Sequence, residues 1–157
     1  MKKTVRQVGD SIFDKRMSKI AKKYPYQSFV VMSAALEFLG KCYSKRENFQ
    51  ESRHSMTDCR DVINSLSSLK EYVKYNDLYH NLRCGMLHAF TPDGIILKRG
   101  ANDVANNKIG ARQFCEDLKK AWEELKANSD YKSFLKTTII LDVNGALSGS
   151  TITQSQV

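Results

Sequence analysis

Ser28-Phe29-Val30-Val31-Met32-Ser33-Ala34-Ala35-Leu36-Glu37-Phe38-Leu39-Gly40-Lys41-Cys42-Tyr43 sets the architecture of this 157-residue chain. Phe29, Met32, Leu36, Leu39 and Tyr43 recur at three and four residues, so they share one face of a helix. Val30, Val31, Ala34, Ala35 and Phe38 make the other side apolar as well. A helix that is apolar all round is surrounded by other elements, so this one is expected at the centre of the domain. It is interrupted by Ser33 and Glu37 and is far shorter than the roughly 20 apolar residues of a membrane span. Glu37 is its odd residue, because a carboxylate on a buried helix requires a partner or a raised pKa.

Working outward, Val5, Val8, Ile12, Phe13, Met17, Ile20 and Tyr24 predict one amphipathic helix that ends before Pro25. Residues 44–55 are polar and charged and read as a loop or a frayed helix. A third helix follows, with Thr57 or Asp58 as its cap and Cys59, Val62, Ile63, Leu66 and Leu69 on its apolar face. A fourth starts near Tyr75, carries Tyr75, Leu78, Tyr79, Leu82, Met86 and Phe90 inward, and stops before Thr91-Pro92-Asp93-Gly94. Ile95-Ile96-Leu97 suggests a short strand or hairpin ahead of the Asn- and Gly-rich stretch to Gly110. Phe114, Leu118, Trp122 and Leu125 define a helix over 111–126, and Ser129-Asp130 caps a short last one. Beyond Leu141 there is little to bury.

The composition agrees with helices. Two prolines and eight glycines leave long stretches without breakers, and 41% hydrophobic residues suffice for one globular core. At this length no disulfide or metal staple is needed. Cys42, Cys59, Cys84 and Cys115 contain no Cys-x-x-Cys pair and read as reduced, mostly core thiols. The basic N-terminal residues are not followed by an apolar run, so no signal peptide is predicted and a cytoplasmic protein without membrane contact is expected. The net charge is +8. Residues 1–23 hold Lys2, Lys3, Arg6, Lys15, Arg16, Lys19, Lys22 and Lys23 against Asp10 and Asp14, a patch suited either to solvent or to a phosphate backbone.

The chemistry-bearing residues gather on the fourth helix, Leu78-Tyr79-His80-Asn81-Leu82-Arg83-Cys84-Gly85-Met86-Leu87-His88. His80, Cys84 and His88 fall within roughly 80° of one another around it, whereas Arg83 and His88 are turned by about 140°. One helix alone does not aim that Arg and that His at a single point.

The Arg-x4-His spacing, on a helix that follows a buried helix bearing Glu37-Phe38-Leu39-Gly40, resembles the HEPN family of small helical domains. The wider stretch Leu78-Tyr79-x-x-Leu82-Arg83-Cys84-Gly85-x-Leu87-His88 and the later Phe114-x-x-Asp117-Leu118-x-x-Ala121 carry the same likeness, over roughly residues 26–136. The resemblance implies a four- or five-helix up-and-down domain, and together with the residue pattern the expectation is an all-α fold, an up-and-down bundle of four to six helices with a short β-hairpin near residues 94–110. The residue pattern as a whole predicts one helical domain over residues 1–141, followed by a flexible tail, 142–157. The resemblance also implies a homodimer in which two motif helices face each other, and a metal-independent RNA endonuclease in defence, stress or toxin biology. His88 is then the general base or acid and Arg83 the phosphate ligand that stabilises transition-state charge.

Active members of the family carry Asn, Asp or His after the Arg, where this chain has Cys84, a poor hydrogen-bond donor. The alternative is a non-catalytic HEPN-like module that binds nucleotide, RNA or a partner protein such as an antitoxin.

Blander roles stand beside these. His88 fits a helix end interacting with the last carbonyls, and Arg83 a stem packed on Tyr79 and Met86. His80, Cys84 and His88 could make a one-helix metal set, but the usual two-pair spacing is missing, so neither metal nor cofactor is assigned. Cys84 paired with His80 or His88 as a nucleophile ranks lower. Supporting roles fall to Glu37, as partner of Arg83 or member of the cleft, and to Tyr79, as a base-stacking ring or a core residue. His54, alone in the polar loop, is expected to be exposed.

Overall fold

The computed structural model describes residues 2–75, 78–88 and 94–140, and for Cys84, Leu87, His88 and Ile140 the backbone only. The predicted stop of the fourth helix at Thr91-Pro92 and the predicted tail 142–157 lie outside the described residues. The structure is mostly helical, about 70%, with two small two-stranded sheets.

The long apolar segment forms α3, Pro25–Tyr43, with proline at its first turn. Phe29, Met32, Leu36, Leu39 and Cys42 are fully buried in it. Four helices pack around it: α2 (Lys15–Lys23), α4 (Ser55–Ser65), α5 (Leu78–His88) and α6 (Ala111–Ala127). Trp122, Phe114 and Leu118 of α6 and Leu82 and Met86 of α5 complete the core. A 3-10 helix, Ser67–Lys74, joins α4 to α5 and buries Leu69 and Tyr72. The fourth helix thus begins at Leu78, after a separate tight turn, rather than near Tyr75. Cys42, Cys59 and Cys115 are buried free thiols.

The single N-terminal helix expected from periodicity is two. α1 spans Val5–Ile12 and starts in a capping box, Thr4 receiving the Gln7 N–H and Gln7 receiving that of Thr4. α2 begins anew because the Asp14 carboxylate accepts the Arg16 N–H at 2.7 Å, and aspartate favours an N-cap over a helix interior. The break turns Phe13 inward to stack on Trp122, with ring centroids 5.5 Å apart. α4 likewise starts earlier than predicted, with His54 at its cap position. Thr57 and Asp58 are not its caps, and the Asp58 carboxylate is occupied by Arg46 at 2.8 Å. His54 is half-buried rather than exposed.

Strands appear where the sequence suggested one, but differently. β2 (Ile96–Lys98) and β3 (Lys108–Gly110) pair in parallel, so they are not a hairpin. The intervening chain loops back around Asn102. Its side chain accepts the Gly110 N–H and donates to Glu71 and to the Tyr72 hydroxyl, at 2.8–3.0 Å. The second sheet was not foreseen: β1 (Lys2–Thr4) pairs antiparallel with β4 (Thr138–Ile140). A 3-10 turn at Ser129–Tyr131, capped by Asn128, and the short α7, Lys132–Leu135, lead from α6 to β4. Among the described residues no helix is long and apolar enough to cross a membrane.

α3 and α4 approach closely enough that Gly40 has no room for a side chain. A Cβ there would lie 2.8 Å from the Asp58 carbonyl carbon and 2.9 Å from the Cys59 nitrogen. Alanine is preferred over glycine in helix interiors by about 1 kcal/mol, but here the backbone of α4 would have to give way. Gly40→Ala is therefore expected to lower stability, by about 1–3 kcal/mol, in urea denaturation. A stabilised variant would show that the two helices are not held at this separation.

Candidate functional site

The site is built around Glu37, which faces inward from α3. Its Oε1 accepts the Ser55 hydroxyl at 2.5 Å and pairs with Lys41 Nζ at 3.0 Å. Its Oε2 accepts the Tyr79 hydroxyl at 3.0 Å and pairs with Arg83 Nε at 3.0 Å. One carboxylate thus links its own helix to the start of α4 and to α5. Lys41 is almost fully buried and also donates to the Phe49 carbonyl at 2.7 Å, which fastens the turn after α3. Among the described residues no buried side-chain polar atom is left unpaired, as burial of this many polar groups requires.

Burial, the largest influence on Glu37, pushes its pKa up. Hydrogen bonds from Ser55 and Lys41 and the charges of Lys41 and Arg83 outweigh it, so the carboxyl is held below its ordinary value. Of the two options open to a buried carboxylate, the chain uses partners. Tyr79 moves the other way: burial first, then the Glu37 charge, raises its phenol well above the usual range. It stays a neutral donor.

Arg83 is the part of this cluster that reaches the surface. Its side chain is 36% exposed, lies over the Tyr79 ring with the guanidinium carbon 5.8 Å from the centroid, and lines a cleft of about 510 Å³. Lys41, Phe38, Phe49, Gln50 and Ser52 line it too. Two cations against one carboxylate leave Glu37, Lys41 and Arg83 with a net charge of +1. Such a floor suits a monoanion such as a phosphodiester, and the Glu37 bond fixes the plane of the guanidinium beforehand.

The predicted site residues divide accordingly. Glu37, Tyr79 and Arg83 come together, with Tyr79 buried as a core residue that also donates a hydrogen bond. His80 is exposed on α5. Cys84 and His88 lie on the same helix, His88 as its final residue, and their side chains lie outside the described residues. Among the described residues no three His, Cys, Asp or Glu side chains form a metal-ligand group. Lys41 and Ser55 were not foreseen from the sequence. The Glu37–Lys41 step of four residues on one helix is a legible pairing signal, whereas nothing local ties Ser55 to a residue 18 positions earlier.

Comparison with protein-family models, with curated proteins and with solved structures finds no match for this chain.

Glu37→Ala strands Lys41 in the interior, and removal of one partner from a buried pair costs about 3–5 kcal/mol, to be read as a fall in the urea midpoint. The lowered pKa of Glu37 sets the pH dependence. Its contribution is complete above the ordinary value of 4.5 and is lost as pH falls through the lower folded value. Glu37→Gln, which keeps an acceptor but does not titrate, should flatten the stability curve below pH 4.5. An unchanged acid limb in that variant would remove Glu37 from the acid response.

Proposed function

We propose that this chain is a metal-independent RNA endonuclease of HEPN-like type, working as a homodimer. The observation that carries the proposal is the Arg83 guanidinium, held by Glu37 at the mouth of a cleft with a net positive floor, on the helix that ends in His88. The arrangement of α5 against a buried α3 supports the same family resemblance that the motif suggests.

In the reaction, the RNA 2′-hydroxyl attacks the adjacent phosphorus. His88 takes the 2′-proton, or in the partner role returns a proton to the departing 5′-oxygen. The P–O5′ bond breaks, leaving a 2′,3′-cyclic phosphate and a 5′-hydroxyl. Arg83 binds the non-bridging oxygens as their charge grows, and because Glu37 fixes one edge of the guanidinium, little reorganisation accompanies that step. The turn of about 140° between Arg83 and His88 is answered by two protomers, each motif helix completing the other's site. Glu37 and Tyr79 are positioning residues. A non-catalytic binding module is the second reading, favoured by one observation: part of Arg83's donor capacity is already spent on Glu37.

Purified protein incubated with mixed-sequence labelled RNA in EDTA is expected to give 2′,3′-cyclic phosphate ends, and His88→Ala to slow this by about 100-fold or more. Arg83→Lys should fail to restore what Arg83→Ala loses, because an ammonium lacks the planar fork. Cleavage by His88→Ala at the wild-type rate would refute the mechanism, and bound RNA without turnover would favour the binding module. In sedimentation the protein is expected at twice the 17.9 kDa chain mass.

A further inference from the structure

A second cleft lies between α2, the β2–β3 connection and the start of α6. It measures about 430 Å³ and is lined by Ser18, Ala21, Lys22, Arg99, Gly100, Arg112, Cys115 and Glu116. We propose that it is a binding site for a phosphate-bearing nucleotide unit, separate from the Arg83 cluster.

Charge comes first. Lys22, Arg99 and Arg112 come from three different elements and converge on this one cleft. The buried and half-buried cations Lys41, Arg46 and Lys126 are answered by carboxylates, whereas exposed lysines such as Lys15, Lys19 and Lys23 have no ion pair among the described residues. Among the described residues none of Lys22, Arg99 and Arg112 has an ion pair or a side-chain hydrogen bond. The carboxylate at the rim, Glu116, is already answered by Lys119 at 3.6 Å. Lys22, Arg99 and Arg112 are all exposed, so water screens their mutual repulsion; what they share is one cleft in which an anion meets all three, and arginine forks match phosphate oxygens.

Shape comes second. The Arg112 N–H donates to the Arg99 carbonyl at 2.9 Å and the Gln113 N–H to the Gly100 carbonyl at 3.3 Å. These bonds dock the Arg99–Gly100 segment on α6, so the backbones of Arg99 and Arg112 are held next to each other. They also occupy the first amides of α6, which leaves the side chains as the anion ligands. Gly100 itself faces open space, with no heavy atom within 4 Å of where a Cβ would be. Ala21 and Cys115 supply a buried, uncharged floor. A cationic rim above such a floor, at a volume within the range of small-ligand sites, matches a nucleotide better than a bare anion. The N-terminal basic patch thereby gains a specific part: Lys22 borders the cleft, whereas Arg6 and Arg16 are paired with Asp10 and Asp14.

The test uses the full chain carrying His88→Ala and a short fluorescein-labelled single-stranded RNA, with adenosine monophosphate as competitor. Arg99→Ala/Arg112→Ala is expected to weaken RNA binding by about tenfold or more and to lower the slope of log affinity against log salt by about one. Gly100→Leu, which fills the cleft without changing charge or straining the backbone, should weaken binding as much. Lys120→Ala should not. With both losses seen, displacement by adenosine monophosphate supports a site for a free nucleotide, and failure to displace supports a site for a strand. Undiminished binding in both variants, or no binding by the parent chain, overturns the site. A loss confined to the arginine variant also overturns it, because that indicates a diffuse basic surface. The nuclease mechanism stands or falls separately, on Arg83 and His88.

Discussion

A carboxylate placed among packed helices must collect enough donors to replace water, and Glu37 collects them from every direction open to it. Lys41 lies one turn along the same helix, Ser55 begins α4, and Tyr79 and Arg83 sit one turn apart on α5. Hydrophobic packing alone is tolerant of small slides and rotations. A carboxylate with two oxygens each committed to two partners is not, because a shift of either neighbouring helix leaves a buried charge or hydroxyl unmet. The register of α4 and α5 against α3 follows from this one group.

The same constraint shapes the cleft. Gly40 lets α4 approach until Ser55 can reach across. Lys41 holds the turn through the Phe49 carbonyl, and Phe49, Gln50 and Ser52 of that turn line the cleft together with Arg83. Arg83 is consequently the one cation of the cluster that is both anchored and partly open to solvent. Stability and ligand geometry are therefore coupled here: residues that secure the helices also aim the guanidinium, and a change among them alters both.

Much of the architecture is readable from residue spacing. The central burial of 28–43, the α6 helix and the inward stripe Leu78, Tyr79, Leu82 and Met86 are where periodicity put them, because an apolar face has one way to leave water. Periodicity could not show the break at Asp14, since the apolar stripe runs through it unbroken and only the capping preference of aspartate marks it. The pairing of Lys2–Thr4 with Thr138–Ile140 depends on two segments far apart in sequence meeting in space, and three-residue strands carry almost no pattern. In the site, Glu37 was conspicuous as a charge on an apolar helix, and Arg83 by its company. Ser55 and the cleft at Arg99 and Arg112 arise from contacts between elements distant in sequence, which no local rule encodes.

Trp122 is the only tryptophan in the chain, and residues 9–13 contribute contacts to its ring beside those of Phe38 and Lys126. Gly9 lies against the ring, Phe13 stacks on it and the Asp10 carboxylate accepts its indole N–H at 2.9 Å. The indole is thus a built-in fluorophore whose emission responds to the docking of α1 on α6 and α3, and among the described residues none of its aromatic-ring contacts is with α4 or α5. Detachment of that segment would appear as a red shift while the helices around Glu37 still stood, so the chain carries its own spectroscopic means of telling local undocking from global unfolding.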